Sequence, residues 1–215
     1  MNQQSGPQEP LVLSYLGLRK AVGIIGVALP FVPAFGKLLL QGPGIQDSIS
    51  GYYYTVMRNV FVGSLCAIGV FLMSCRGYDW KDEFAGNLAC VFAIGVALFP
   101  TTPYSGATSR DEFIGKLHLS FAVFLFLTFA YFSLALFTKT APDKTPTPRK
   151  LQRNTVYRVC GYTILACILL IAVVALTPVR YLVERLTPVF WLESAAIVAF
   201  GVSWLTKGET ILKDQ

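Results

Sequence analysis

The stretch VCGYTILACILLIAVVAL, residues 159–176, runs for eighteen residues without a charged side chain. At a rise of 1.5 Å per residue, a helix of this length spans about 27 Å, close to the ~30 Å thickness of a bilayer's hydrocarbon core. The stretch therefore predicts a helix that crosses a membrane.

The chain as a whole is also rich in apolar residues and poor in charged ones. Of its 215 residues 54% are apolar and only 14% are charged, against roughly 25% charged residues in a soluble domain. So few charges could not cover so much apolar surface in water. The predicted fold is all-α, a polytopic transmembrane bundle in which residues 1–215 form a single integral membrane domain. Its six helices are expected at about residues 21–40, 54–74, 84–99, 113–137, 159–176 and 189–205.

Local signals refine this layout. Pro30 and Pro33 predict a kink in the first helix, and Gly23, Gly26 and Gly63 are small residues suited to close helix packing. The block 84–99 is the shortest, and a re-entrant segment is the alternative there. Residues 139–158 read as a basic, proline-containing, mobile connector.

The distribution of lysine and arginine predicts the orientation. Twelve of the 18 fall in the N-terminal flank, the second and fourth loops and the C-terminal tail; six fall on the other side. Because cytoplasmic loops carry the excess of positive charge, both termini are expected in the cytoplasm. The same excess accounts for the net charge of +6, so we do not expect nucleic acid as a partner.

The inventory of cysteine and histidine limits the chemistry. None of the five cysteines falls in a predicted outer loop, which disfavours a disulfide framework. The single histidine, His118, cannot supply a histidine-rich metal or haem site, so neither a metal nor another cofactor is predicted.

Polar residues collect in two groups on the predicted outer side. One group comes from the first outer loop and the start of the second helix, and the other comes from the second outer loop and the start of the fourth helix. Arg58 is expected about one turn inside the second helix, where an arginine is costly unless it reaches the interface or binds an anion. It is therefore either a clamp for phosphate or carboxylate or an interfacial anchor. The candidate ligand-binding residues are Asp47, Ser50, Tyr53, Tyr54, Arg58, Asn59, Glu112 and Lys116.

His118 and Asp111 are the candidate catalytic residues. They are seven residues apart, two helical turns, and share a face if the helix already includes Asp111. A carboxylate beside His118 would favour an acid–base or proton-sensing role, whereas the alternative is a structural histidine. Glu112 and Lys116 form an i,i+4 pair. Glu193 either completes this cluster or pairs with an outer arginine, Arg180 or Arg185.

Two stretches carry a family resemblance: IQDSISGYYYTVMRNVFVGSLCAIGVFL, residues 45–72, and LFPTTPYSGATSRDEFIGKLHLSFAVFLFL, residues 98–127. Together they resemble a bacterial six-helix membrane family known only as a domain of unknown function, of the 998 type. The chain is more distantly similar to the Frag, DRAM and Sfk membrane families. The matching special residues are Ser50, Pro100 and His118. The resemblance implies six helices, a bacterial inner membrane and an outward-facing polar site, but no reaction.

These observations lead to three functional hypotheses. The first is a protein that binds an anionic lipid headgroup or a small solute at the outer polar cluster. The second is a membrane-embedded enzyme that modifies lipid with His118 as acid–base, and the third is a small-solute transporter. Membrane lipids are the expected partners, and homo-oligomerisation is left open.

Overall fold

The computed structural model describes residues 8–75, 80–140 and 145–212 and confirms the all-α class. Within these ranges the α helices are α1 (Gln8–Ala28), α2 (Phe31–Gln41), α3 (Arg58–Ser74), α4 (Trp80–Leu98), α5 (Ser109–Tyr131), α6 (Pro148–Leu176), α7 (Val179–Val183) and α8 (Pro188–Lys207). Two short 3-10 helices occupy Ser50–Tyr54 and Glu184–Leu186, and a π-helical turn at Phe132–Leu136 prolongs α5. Arg76, Lys144 and Lys213, three of the cations used to predict orientation, lie outside the described residues, as does the side chain of Arg180.

The longer helices pack as a closed ring. α1 packs on α3, α3 on α4, α4 on α5, α5 on α6, α6 on α8, and α8 returns to α1. Neighbours in the sequence are therefore neighbours in space, as short connections dictate. The core is aromatic, with the rings of Phe129 on α5 and Phe200 on α8 stacked across the centre and Trp204 buried beside them.

Not every predicted span meets the requirements for crossing a membrane. Within the described residues, three helical stretches are long and apolar enough: Ser109–Leu136, Pro148–Leu176 and Pro188–Lys207. The bent pair α1–α2, taken as one span, would be a fourth. α3 has only 17 residues, and the first turn of α4 carries Lys81, Asp82 and Glu83. The structure therefore supports three or four spans by length and composition.

The predicted kink in the first helix is present. α1 and α2 meet at an angle of 48° around Leu29 and Pro30. A proline lacks the backbone N–H that would continue the helix, which is why the break falls there. Pro33 lies within the first turn of α2, where a proline removes no intrahelical hydrogen bond.

Three predicted helix starts were wrong. The first helix begins at Gln8 rather than at residue 21. The second helix begins at Arg58 rather than at residue 54, because residues 50–54 wind into a 3-10 helix. The fifth helix begins at Pro148 rather than at residue 159, so residues 148–158 are helical and not a mobile connector. The signal for this start was present in the sequence, since Thr147 caps the helix by accepting a hydrogen bond from Lys150 N at 3.1 Å and Pro148 occupies the first position.

Small residues bring α1 and α8 together. A Cβ atom added to Gly201 would lie 2.8 Å from the carbonyl oxygen of Gly23, and one added to Gly26 would lie 3.3 Å from Gly201 Cα. Gly23 and Gly26 thus pack as predicted. Gly63 does not, because no described atom lies within 4 Å of a Cβ placed on it.

The loops gather at two opposite ends of the bundle. We call the end formed by residues 42–57, 99–108 and 177–187 the tyrosine end, because it contains Tyr52, Tyr53, Tyr54, Tyr104 and Tyr181. The opposite end contains the side chains of Arg19, Asp82, Lys139, Lys150, Arg153 and Lys207, and we call it the basic end.

Candidate functional site

The two predicted polar groups meet at the tyrosine end. The hydroxyl of Tyr54, from the first loop, donates a hydrogen bond of 2.6 Å to the carbonyl oxygen of Thr101, in the second. Gly115 allows the second loop to approach, because a Cβ at that position would lie 2.0 Å from Thr102 Oγ1. The two loops that carry the predicted polar groups are therefore in contact.

Arg58 lies on the surface of this end. It is the first residue of α3, not one turn inside the membrane helix as predicted. Its guanidinium group lies over the ring of Tyr53, 4.2 Å from the centroid, and donates a short hydrogen bond to the Tyr53 hydroxyl. Tyr53 in turn packs edge-on against Tyr54. The tyrosines thus hold Arg58 in a defined position while its side chain and that of Asn59 stay exposed.

Asp47 belongs to a different part of the same end. Its carboxylate interacts with Tyr104, and partial burial together with this negative charge raises the pKa of Tyr104 to about 12. Asp47 also borders a pocket of about 320 Å³ with Tyr181, Glu184 and Thr187. The two acids make this pocket unfavourable for an anion.

Ser50 points inward rather than to the surface. It is 7% exposed and, with Glu193 of α8, lines an otherwise apolar cavity of about 30 Å³ in the middle of the bundle. A cavity of this size has room for about one or two water molecules. Glu193 Oε2 accepts a hydrogen bond of 2.7 Å from the backbone N–H of Ile49. Glu193 therefore anchors the first loop to α8.

Sequence reasoning missed the role of Lys37. This lysine is 8% exposed, and its ammonium group donates to the carbonyl oxygens of Pro43 and Gly44 at 2.9 and 2.8 Å. It ties the end of α2 to the loop that follows by donating hydrogen bonds to backbone carbonyl oxygens of the glycine-rich turn. A lone lysine near the end of an apolar block followed by Gly-Pro-Gly was the available signal.

His118 holds the end of α4. It is 6% exposed, and its Nδ1 lies 2.6 Å from the carbonyl oxygen of Phe99, just beyond the last helical residue, Leu98. The geometry makes Nδ1 the donor, since a carbonyl oxygen only accepts. This is the arrangement of a structural histidine that joins α5 to α4.

Asp111, the predicted partner of His118, is engaged elsewhere, and the predicted pair of Glu112 and Lys116 does not form. Asp111 forms a capping box with Thr108: its Oδ2 accepts from Thr108 N at 2.9 Å and from Thr108 Oγ1 at 2.7 Å. The side chains of Glu112 and Lys116 are exposed, and within the described residues no ion pair joins them. The predicted pairings of Asp111 with His118 and of Glu112 with Lys116 are therefore wrong.

The site has no arrangement that suits a metal ion: within the described ranges, no three His, Cys, Asp or Glu side chains lie close enough to share one. What the tyrosine end offers is a fixed guanidinium group, hydroxyl groups and an interior carboxylate. The sequence matches no family model, no curated protein and no solved structure.

Proposed function

We propose that this protein is an integral membrane protein that binds an anionic lipid headgroup at Arg58. The observation that carries the proposal is the fixed, exposed guanidinium group stacked on Tyr53. A guanidinium group has five N–H donors, of which the contact with Tyr53 uses only part. The remaining donors suit a phosphate, which guanidinium binds in a bidentate manner.

The start of α3 adds to the positive potential at this position. The first backbone N–H groups of a helix lack intrahelical acceptors and carry a partial positive charge. α3 has no acidic residue in its first turn and no side chain that caps its N-terminus. Asn59, exposed in the same turn, supplies a neutral amide donor. An anion at Arg58 therefore benefits from both the guanidinium charge and the helix.

The surroundings of Arg58 favour a lipid over a free solute. Val56 is 56% exposed and Val60 is 38% exposed, on either side of Arg58 in the sequence. Exposed valines at the start of a membrane helix offer contact to acyl chains. A ligand with an anionic headgroup and an apolar tail matches both surfaces.

We further propose that the chain crosses a bacterial inner membrane six times with both termini in the cytoplasm, so that the tyrosine end faces outward. The support is the ring of helices with loops alternating between two ends, the bias of lysine and arginine towards one of them, and the family resemblance. In this arrangement α3 and α4 are the short or charge-flanked spans. The ring shields them on two sides, since α3 packs on α1 and α4, and α4 packs on α3 and α5.

Native mass spectrometry of the purified protein tests the binding proposal. We expect phosphatidylglycerol to be retained by the wild type and by Arg58→Lys in part, and to be lost from Arg58→Ala. Loss of a charge-assisted hydrogen bond corresponds to at least about tenfold weaker binding. Arg185→Ala, which removes an exposed arginine of the same end, is the matched control. Equal retention of phosphatidylglycerol by Arg58→Ala and Arg185→Ala would contradict the proposal.

One observation favours transport of a small solute as a second candidate function. Glu193 places a carboxylate beside a cavity at the centre of the bundle, next to the broken pair α1–α2. Ionisable residues inside membrane segments and broken helices are both features of transport pathways. Uptake into proteoliposomes that disappears in Glu193→Gln but persists in Arg58→Ala would favour transport over lipid binding.

The lipid-modifying enzyme is the weaker alternative. It requires His118 to exchange protons with a substrate, whereas Nδ1 of His118 is occupied by Phe99 and Asp111 caps α5. The enzyme hypothesis would be supported if the protein turned over a lipid and if His118→Gln abolished that turnover without changing the thermal stability.

A further inference from the structure

A groove of about 560 Å³ runs between α4 and α5, on the surface of the helix ring that faces away from its core. Towards the basic end it is lined by Trp80 of α4 and Tyr131 of α5, and it continues along the two helices to Phe92 and Phe124. We call it the α4–α5 groove. Its volume lies within the roughly 300–1,000 Å³ that is usual for a ligand site.

The length of the groove matches one leaflet of a bilayer. Trp80 and Phe92 are twelve residues apart on α4, which corresponds to about 18 Å along the helix axis. Half of the ~30 Å hydrocarbon core is about 15 Å. The other wall, α5, belongs to a helical stretch that is long and apolar enough to cross a membrane. The groove therefore has the reach of one acyl chain of a phospholipid.

The walls of the groove are apolar and open to the surroundings. Trp80, Phe84 and Phe124 are each more than half exposed. The rings of Phe92 and Phe124 stack with their centroids 5.4 Å apart and close the inner end. The hydroxyl of Thr128 donates to the carbonyl oxygen of Phe124 at 2.7 Å, so its proton is used within α5. A hydrocarbon chain is thus a suitable occupant for the inner part of the groove.

A second helix is a less suitable occupant. Membrane helices pack through small residues that let their backbones approach closely. α4 uses such residues against α3: a Cβ added to Gly86 would lie 2.8 Å from the carbonyl oxygen of Leu72, and one added to Gly69 would lie 3.3 Å from Ala93 Cβ. The side of α4 that faces the groove carries large rings instead, such as that of Phe84. A groove with such walls suits a flexible chain, which can follow their shape.

The end of the groove nearest the basic end carries a positive charge. Among the described residues that line the groove, Lys81 is the only charged one. Its side chain is exposed, and its ammonium group lies 5.9 Å from the centroid of the Trp80 ring. The acids of the same turn lie elsewhere, since Asp82 is buried and pairs with Lys139 at 2.6 Å and Glu83 does not line the groove. Lysine and tryptophan are both residues of the membrane interface, where phosphate groups lie.

We propose that the α4–α5 groove binds one phospholipid of the leaflet next to the basic end, with an acyl chain between the two helices and the phosphate group beside Lys81. Because lipid tails are as apolar as the side chains, the shape of the groove and the contact with the phosphate hold this lipid in preference to its neighbours. The site rests on the proposed arrangement of α4 and α5 in a membrane. It is separate from the site at Arg58, which lies at the opposite end.

Native mass spectrometry of the protein in detergent, titrated with phosphatidylglycerol, tests the groove. All proteins carry Arg58→Ala, so that lipid binding at the tyrosine end neither contributes to the result nor decides it. Lys81→Met removes the charge and keeps an apolar stem, and Leu127→Trp fills the groove from α5. Lys116→Met and Leu119→Trp, at exposed positions of α5 outside the groove, are the matched controls.

We expect the parent and both controls to retain one phosphatidylglycerol, Lys81→Met to bind it about tenfold more weakly, and Leu127→Trp to lose it. Absence of a retained lipid from the parent, or binding by either groove variant that equals that of its control, would overturn the proposal. A dimer that Leu127→Trp separates would also overturn it, because the groove would then hold a second copy of the chain.

Discussion

The two ends of the bundle differ in where their charged side chains lie and in what those side chains contact. At the tyrosine end the cation Arg58 is exposed and lies on an aromatic ring, and the interior carboxylate of Glu193 is used to bind backbone. At the basic end the cations are drawn inward and the carboxylate of Asp82 is used to neutralise one of them. The difference indicates that the charges of the tyrosine end act singly, on a ring or on backbone, whereas those of the basic end lie close enough to act on one another.

Removal of Asp82 should have the largest effect, because it disturbs the interactions among these charges directly. Asp82→Ala leaves Lys139 without its carboxylate and raises the net charge of the basic end. Breaking a buried ion pair costs about 3–5 kcal/mol, and since the side chain of Lys139 is 35% exposed, we expect about 2–3 kcal/mol. Chemical denaturation in detergent measures the loss. Glu83→Ala, an exposed acid in the same turn, is the control and should cost little.

Glu193→Ala tests the tyrosine end in the matching way. It removes the acceptor of the Ile49 N–H and should cost about 2 kcal/mol, within the range for leaving a buried N–H group without an acceptor. Faster hydrogen exchange at Ile49 would report the release of the first loop. Glu193→Gln retains an acceptor and should keep most of the protection; if both variants exchange alike, the anchor is not Glu193.

Substitution of two glycines, Gly115 and Gly63, compares a closely packed position with an open one. Gly115→Ala should destabilise the protein by about 1–2 kcal/mol, because the new Cβ would overlap Thr102 and push the second loop outward. Gly63→Ala adds the same methyl group where nothing lies within 4 Å and should cause no loss. Melting temperatures that fall equally in both variants would contradict the close contact of the loop.

The smallest expected effect is the pH dependence contributed by Tyr104. Partial burial and the Asp47 carboxylate raise its pKa to about 12, above the ordinary value of 10.0. The folded protein therefore holds this proton more tightly than the unfolded chain, so the stability it contributes is present below pH 10 and lost between pH 10 and about 12. Tyr104→Phe should reduce the fall in melting temperature over that range, and an unchanged fall would contradict the raised pKa of Tyr104.

Much of the architecture could be predicted from the sequence because it depends on local pattern. The apolar blocks located the longer helices, and Pro30 located the bend. Starts of helices were less predictable: the charged segment 149–158 hid the beginning of α6, although Thr147 and Pro148 form a recognisable cap. Arg58 was placed too deep because residues 54–57, which were assigned to the helix, form the end of a 3-10 helix and a turn before α3 begins.

The details of the two ends required contacts that the sequence does not encode locally. The acceptor of His118 is a backbone oxygen 19 residues away, and that of Arg153 is 59 residues away. A count of lysines and arginines predicted which end is basic but treated them as solvated. It therefore could not indicate that Lys150 and Lys207 meet at Phe137.

The proposed arrangement in the membrane requires that the two ends of the bundle face opposite sides, with the tyrosine end outside. Thiol labelling of spheroplasts with a membrane-impermeant maleimide tests this directly, with Ser105→Cys marking the tyrosine end and Thr145→Cys marking the basic end; both positions are exposed. Among the native thiols, burial raises the pKa of Cys75 to about 11, so it reacts slowly at neutral pH. We expect Ser105→Cys to be labelled in intact spheroplasts and Thr145→Cys only after permeabilisation. Labelling of both positions, or of Thr145→Cys alone, in intact spheroplasts would contradict the account.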